Sequence, residues 1–417
     1  MAASEKLGSN FWRQLVATGV SNIGDGMVHA AAPLLTLSLT DDPRLIAGVS
    51  FSSMLPWLVL TLPAGVYIDR FNRQHLMIAA NVIRAALYAL ITVAAATDSL
   101  NIWTFMLVLL GVGACEVIFD MTAQAFLPQI VSNNVLERAN GRLTIVETIC
   151  NNFIGLPLGA IAFVVAASIP FGVNGASFGL AAVLVFSIKI PKPLTDTDSL
   201  PTRNSFRSDF KEGFSWLWNN HLIRTLAIML GVTNMAVMFG DAIFVKYAAD
   251  ELGVTGSGYG FLLSLMAIGS IIGGFLGERI SKRLGVGLAL IISYAIFGLV
   301  GLAYILMPNV WVIAVAVSIM GIAGTTWNVV TVSLRQRIIP AELFGRVNSV
   351  YRFLGTGSIA LGAIAGGQIA FRFGIRAPYL ASVIVGLSSL AIGGPRLYKE
   401  VQRYIAPEET PAPPSIT

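Results

Sequence analysis

Charge is scarce in this sequence. Of 417 residues only 12% are Asp, Glu, Lys or Arg, while 55% are hydrophobic. Water-soluble domains carry about 25% charged residues, so a large soluble domain is excluded. Cysteine is nearly absent: Cys115 and Cys150 both fall in apolar runs, and no disulfide framework is indicated. The histidines are His29, His75 and His221, with no metal-spaced His or Cys cluster and no glycine-rich phosphate loop. Metal, cofactor, enzymatic chemistry and an ATP-driven motor in this chain are therefore not expected. A cleavable signal is not expected either, because the first apolar run is too long and lacks a small-residue cleavage site. The excess of 27 Lys and Arg over 22 Asp and Glu gives net charge +5. On so apolar a chain that excess reads as basic cytoplasmic loops, not as a nucleic-acid surface.

Long apolar runs are plentiful instead. Twelve are expected to cross a bilayer as helices, near residues 11–39, 45–68, 75–97, 101–129, 140–167, 170–190, 222–247, 256–280, 285–307, 309–334, 346–371 and 376–394. The 41 glycines suit close helix packing in lipid. Basic residues gather on one side. With both termini inside, the cytoplasmic segments hold Arg70, Arg73, Arg138, Arg142, Arg279, Lys282, Arg335 and Arg346, among others, and Arg84 is counted with them. The outside keeps Arg44, Lys246, Arg372 and Arg376, beside Asp41, Asp42, Asp98, Asp250 and Glu251. This bias fixes a multi-pass topology in a cell or inner membrane with cytoplasmic ends.

Four segments are expected: a six-helix bundle over 1–190, a cytoplasmic linker over 191–221, a second six-helix bundle over 222–394, and a disordered Pro-rich tail over 395–417. In the linker Phe206, Phe210, Phe214 and Leu217 recur at helical spacing opposite Arg207, Asp209, Lys211 and Glu212. That predicts an amphipathic helix on the cytoplasmic surface, anchored by Trp216 and Trp218.

The halves echo each other. Gly65-xxx-Asp69-Arg70-xx-Arg73 is matched by Gly274-xxx-Glu278-Arg279-xx-Lys282, each closing the second span of its half. Val20-Ser21-Asn22 is matched by Val232-Thr233-Asn234, and Arg138-Ala139-Asn140-Gly141 by Arg346-Val347-Asn348-Ser349. Two parallel halves related by an axis along the membrane normal form a recurring transporter architecture, with the substrate between them.

At this point the chain resembles the major facilitator superfamily over nearly its whole length. Gly65–Arg73 is similar to that superfamily's signature loop between spans two and three, with Tyr67, Asn72 and Gln74 where leucine, glycine and lysine are usual. The DRFNR form and Gly24-Asp25 resemble the drug and siderophore exporter branch, which includes macrolide-efflux and enterobactin-exporter-like proteins. Gly155-Leu156-Pro157-Leu158-Gly159 resembles the antiporter signature of span five, with Leu156 interrupting its Gly-Pro pair. The resemblance implies an all-α fold of twelve transmembrane helices in two pseudo-symmetric bundles. It also implies an acid in span four that pairs with the loop arginines, here Asp120 with Arg70 or Arg73.

A charge inside a membrane is costly and asks for a partner or a job. Asp25 and His29 share a face of span one with Asn22; they are read either as a protonatable site on the cavity or as a helix–helix contact. Glu116 and Asp120 share a face of span four, and Glu147 and Asn151 a face of span five. Asp241 lies toward the outer end of span seven, and Arg352, the one basic residue placed inside a span, is expected to neutralise an acid. Trp327-Asn328 occupies the place of Phe119-Asp120 in the repeat, so Asn328 is the uncharged counterpart of Asp120. Together these predict a monomeric, proton-coupled exporter of a small amphipathic compound, with Gly65–Arg73 and its echo as a conformational latch. An importer, a uniporter, a lysolipid flippase or a non-transporting sensor is the alternative.

Overall fold

The computed structural model describes residues 7–68, 71–189, 206–340 and 342–405. Among them there are helices and no strands. The first half contains α1 (Ser9–Leu39), α2 (Pro43–Ile68), α3 (Arg73–Ala96), α4 (Ile102–Ile130), α5 (Leu136–Thr148), α6 (Leu156–Val165) and α7 (Ile169–Phe186). After α8 (Phe206–Asn219) the second half runs through α9 (His221–Asp241), α10 (Phe244–Leu252), α11 (Gly256–Leu284), α12 (Val286–Leu306), α13 (Val310–Ile338), α14 (Phe344–Phe373) and α15 (Ala377–Ile405). Eleven helical stretches of the described residues are long and apolar enough to cross a membrane. With the 31-residue α1, whose apolar run is diluted by a polar stripe, they make the twelve spans.

Asparagines start several helices. The side chains of Asn72, Asn101 and Asn220 accept a backbone N–H three residues on, opening α3, α4 and α9 at 3.2, 2.9 and 3.0 Å. A single residue, Gly285 at φ 81°, joins α11 to α12, a turn that a side chain would strain.

Lipid provides no hydrophobic drive between helices, so close backbone approach carries the packing. A Cβ at Gly26 would strike the carbonyl of Asn151, and one at Gly159 would strike Met27. Gly269 and Gly273 lie in the same way against Ser318 and Ile322.

Three expectations change. Span five is interrupted: residues Ile149–Gly155 form a π-helical stretch between α5 and α6. Pro157 lacks the N–H that an unbroken helix would use there, and one widened turn absorbs the loss. Span seven ends at Asp241 and restarts as α10, so Asp241 is terminal. The last helix continues through Pro395 to Ile405, where the sequence reading began a disordered tail. Leu397 and Val401 are fully buried there. Burying two such side chains, at about 1.5–3 kcal/mol each, offsets the roughly 3 kcal/mol that a helical proline costs.

The helix α8 forms as expected, but it packs on α14 of the second half. Glu212 and Arg346 pair at 2.5 Å, Leu217 is fully buried, and Gly213 abuts the backbone of Arg346. Phe214 and Trp218 stack on its open side, 5.4 Å apart.

The ends of the molecule differ. At the basic face the start of α3 meets the end of α7, with Gln74 donating to the carbonyls of Val185 and Ile188 at 2.8 Å each. At the acidic face the two halves are sealed together. Leu34, Ile46 and Ala47 join a cluster with Ile243, Phe244, Tyr247 and Tyr304. A Cβ at Gly367 would stand 2.6 Å from that of Ala47, the Arg44 guanidinium lies 3.7 Å from the centre of the Phe371 ring, and Lys246 bridges to Asp41 at 3.7 Å.

Candidate functional site

The polar stripe of α1 faces a cavity of about 640 Å³ in the first half. Gln14, Thr18, Asn22, Asp25 and His29 line it at helical spacing. Glu116 and Asp120 reach it from α4, Glu147 from α5 and Asn151 from the π-helical stretch. The widened turn is what aims Asn151. Its amide oxygen meets His29 Nδ1 at 3.3 Å, and its Nδ2 donates to Asn22 Oδ1 at 3.5 Å. Asp25 accepts from Asn174 Nδ2 of α7 at 3.2 Å. The predicted set Asp25, His29, Glu116, Glu147 and Asn151 thus converges on one space. Gly155 and Gly159 make that convergence possible, because α1 and α6 touch along them.

Sequence reasoning missed the cation of this site. A count of basic residues by side puts Arg84 with the loop arginines, yet it sits mid-way along α3 and is 3% exposed. It donates to Asn81 Oδ1 at 2.6 Å and lies over the rings of Phe178 and Phe119, at 4.0 and 4.6 Å. Asp25, Glu116 and Asp120 all lie within its electrostatic reach, although none forms an ion pair with it among the described residues. The available signal was its position well inside span three, with Asn81 one turn earlier on the same face.

The second half holds its own cavity, about 610 Å³, lined by Asn234, Trp327, Asn328, Arg335, Asn348 and Arg352, among others. Trp327 is buried against Tyr294 with its indole nitrogen unpartnered. Arg335 bonds the side chain of Asn348 and lies over Tyr351 at 4.1 Å. It was expected in a loop, but α13 runs past it to Ile338. Arg352 is exposed to the cavity and stands near enough to Asp120 for their charges to interact.

Asp241 lies elsewhere, in a pocket of about 190 Å³ on the acidic side of His29 and Glu116, shared with Ser50, Ser53 and Tyr259. Asp241 is exposed to that pocket. The acidic-face seal closes the route beyond, while both large cavities lie toward the basic face.

The chain matches the model of the "Transmembrane secretion effector" family over residues 7–412. This chain belongs to that family, in the major facilitator superfamily. It is similar to the multidrug efflux pump Tap of Mycobacterium tuberculosis, at 26% identity over 386 residues, covering 88% of each chain. Macrolide efflux protein A of Streptococcus pyogenes is 24% identical over 383 residues, covering 89% of this chain and 92% of the relative. A mutant of the nucleoside transporter NupG shares the fold, with a TM-score of 0.76 at 11% identity, over 93% of this chain and 99% of that one.

In this secretion-effector transporter the described residues cover part of the signature loop. Asp69 and Arg70 lie outside the described residues, and Gly65 is on the last turns of α2. Arg73 reaches the carbonyl of Ala125 at 3.0 Å. Asp120 lines the cavity; no ion pair joins it to Arg73 among the described residues, and the expected pairing with Arg70 falls on a residue outside them. In the second copy Glu278 pairs with Lys282 on its own helix at 2.6 Å, both largely exposed. It does not reach Asn140, whose side chain turns back to the carbonyl of Leu136 at 3.1 Å. Arg279 follows Glu278 on α11, and Gly274 has only Thr325 within contact distance, at 3.8 Å from a Cβ built there.

Proposed function

We propose that this protein is a proton-coupled exporter of a small amphipathic compound, working by alternating access in the cell membrane with its basic face and both termini in the cytoplasm. The observation that carries this reading is the acid-lined cavity around Arg84 lying toward the basic face while the acidic face is sealed. The efflux names of the relatives Tap and macrolide efflux protein A support the direction. In the open state the substrate enters from the cytoplasm and meets Asp25, Glu116, Asp120 and Glu147. A buried carboxyl holds either a proton or a cationic partner, so substrate binding displaces a proton and outward release allows it to return. His29, held by Asn151, sits between the large cavity and the Asp241 pocket, where a proton would pass when the seal opens.

The loop signature and its echo serve as a latch in the same scheme. With the basic face closed, Asp69 and Glu278 would meet the N-terminal ends of α14 near Asn348 and α5 near Asn140, where an acid is favoured. The exposed Glu278–Lys282 pair is the disengaged form. Purified protein in liposomes tests the coupling. An imposed pH gradient should drive accumulation of an amphipathic dye, and Asp25→Asn with Glu147→Gln should abolish that dependence. Efflux indifferent to the gradient in both proteins would defeat the proposal.

A further inference from the structure

The two half-cavities carry opposite charge. Four carboxylates, Asp25, Glu116, Asp120 and Glu147, line the first against Arg84 alone among the arginines. No carboxylate lines the second among the described residues, where Arg335 and Arg352 stand among amides and aromatic rings. The repeat sharpens the contrast, because Asn328 stands where the first half has Asp120. Arg335 is engaged with Asn348 and Tyr351. Arg352 has no ion-pair partner among the described residues, is exposed to the cavity, and lies near enough to Asp120 for their charges to interact. A largely apolar space of about 550 Å³, lined by Met266, Met320 and Phe297, adjoins the second cavity through Asn328.

We infer that the substrate is a zwitterionic amphiphile, with a cationic group taken by the carboxylates of the first half, an anionic group taken by Arg352, and an apolar body that fills the adjoining space. A purely cationic compound would leave Arg352 desolvated without a partner as the halves close, and a purely anionic one would meet four carboxylates. Charge-assisted hydrogen bonds are stronger than neutral ones. An unpaired charge enclosed by closure is penalised beyond the lost contact. This inference rests on the cavity being the transport site, as proposed above, but not on protons or direction.

Equilibrium binding in detergent at fixed pH tests it, using a rhodamine that carries a free carboxylate, its methyl ester, and fluorescein. The first is a zwitterion, the second a cation on the same ring system, and the third an anion. Fluorescence anisotropy should show the zwitterion binding about tenfold more tightly than the ester, with fluorescein weakest. Arg352→Gln should bring the ratio of zwitterion to ester to about one, and Arg352→Lys should keep much of it. Equal affinities in the native protein, or a ratio unmoved by Arg352→Gln in protein with an unchanged melting temperature, would overturn the inference. A preserved ratio with no gradient-driven efflux would defeat proton coupling alone.

Discussion

At Arg84 a guanidinium is kept between Phe119 and Phe178, within reach of three carboxylates and bonded to Asn81. Arg84→Gln removes both ring contacts and leaves Asp25, Glu116 and Asp120 without the one arginine of their cavity. Removing one member of a buried charge group costs about 3–5 kcal/mol when pairing is tight. Here, without direct ion pairs, about 2 kcal/mol and a loss of transport are expected, read from the thermal melt and from dye efflux. Gly26→Val forces a side chain into the Asn151 carbonyl, and overpacking of that kind costs about 1–3 kcal/mol; it should lower the melting temperature and abolish transport together. The acids and their facing partners were legible because spacings of three and four residues put Asn22, Asp25 and His29, or Glu147 and Asn151, on one helix face. Arg84 was not, because a count of basic residues by side of the membrane absorbs a cation that the fold holds inside. Phe178, which holds it, comes from a helix more than ninety residues away in sequence.

Elements add what spacing cannot show. Apolar runs located most of the spans to within a few residues, since length and composition alone decide what crosses lipid; the ends of spans seven and twelve were misplaced by more. They do not register a widened turn, and Pro157 gave its place away only as part of a resemblance. Pro157→Ala restores a backbone donor and favours a regular helix. Losing the extra residue of the π turn would rotate Asn151 by about 100° off His29. Transport should fall severalfold while the melting temperature stays level or rises, a split that efflux assays and calorimetry on one preparation would reveal. At the acidic rim Asp42 accepts from Arg44 at 2.7 Å, and that hydrogen bond holds its carboxyl below the usual value. A lowered carboxyl contributes to stability above its unfolded value, and the contribution is lost as pH falls through the lowered one. The Asp42–Arg44 bond, which steadies the guanidinium over the Phe371 ring, is therefore expected to persist in mild acid.

For the whole molecule, the seal at the acidic face makes a direct prediction. Gly367→Val, whose Cβ would stand 2.6 Å from that of Ala47, should loosen the seal by overpacking and increase labelling of cysteines placed at the acidic face, in a background with Cys115 and Cys150 replaced by serine. Asp69→Asn should increase labelling of cysteines placed at the basic face. Two-fold repetition was legible in the echoes of the loop signature; the charge asymmetry between halves was legible in part, as Asn328 for Asp120 and as four first-half acids against Arg352 in the second half, while Arg84 and Arg335 were counted with the loops. The docking of α8 on α14 has a genetic consequence. Because α8 packs with the second half, a gene divided between codons for residues 190 and 205 is expected to encode two polypeptides that reassemble when co-expressed. A cut between α8 and α9 would strand Leu217 and the Glu212–Arg346 pair on the wrong product, and complementation should fail.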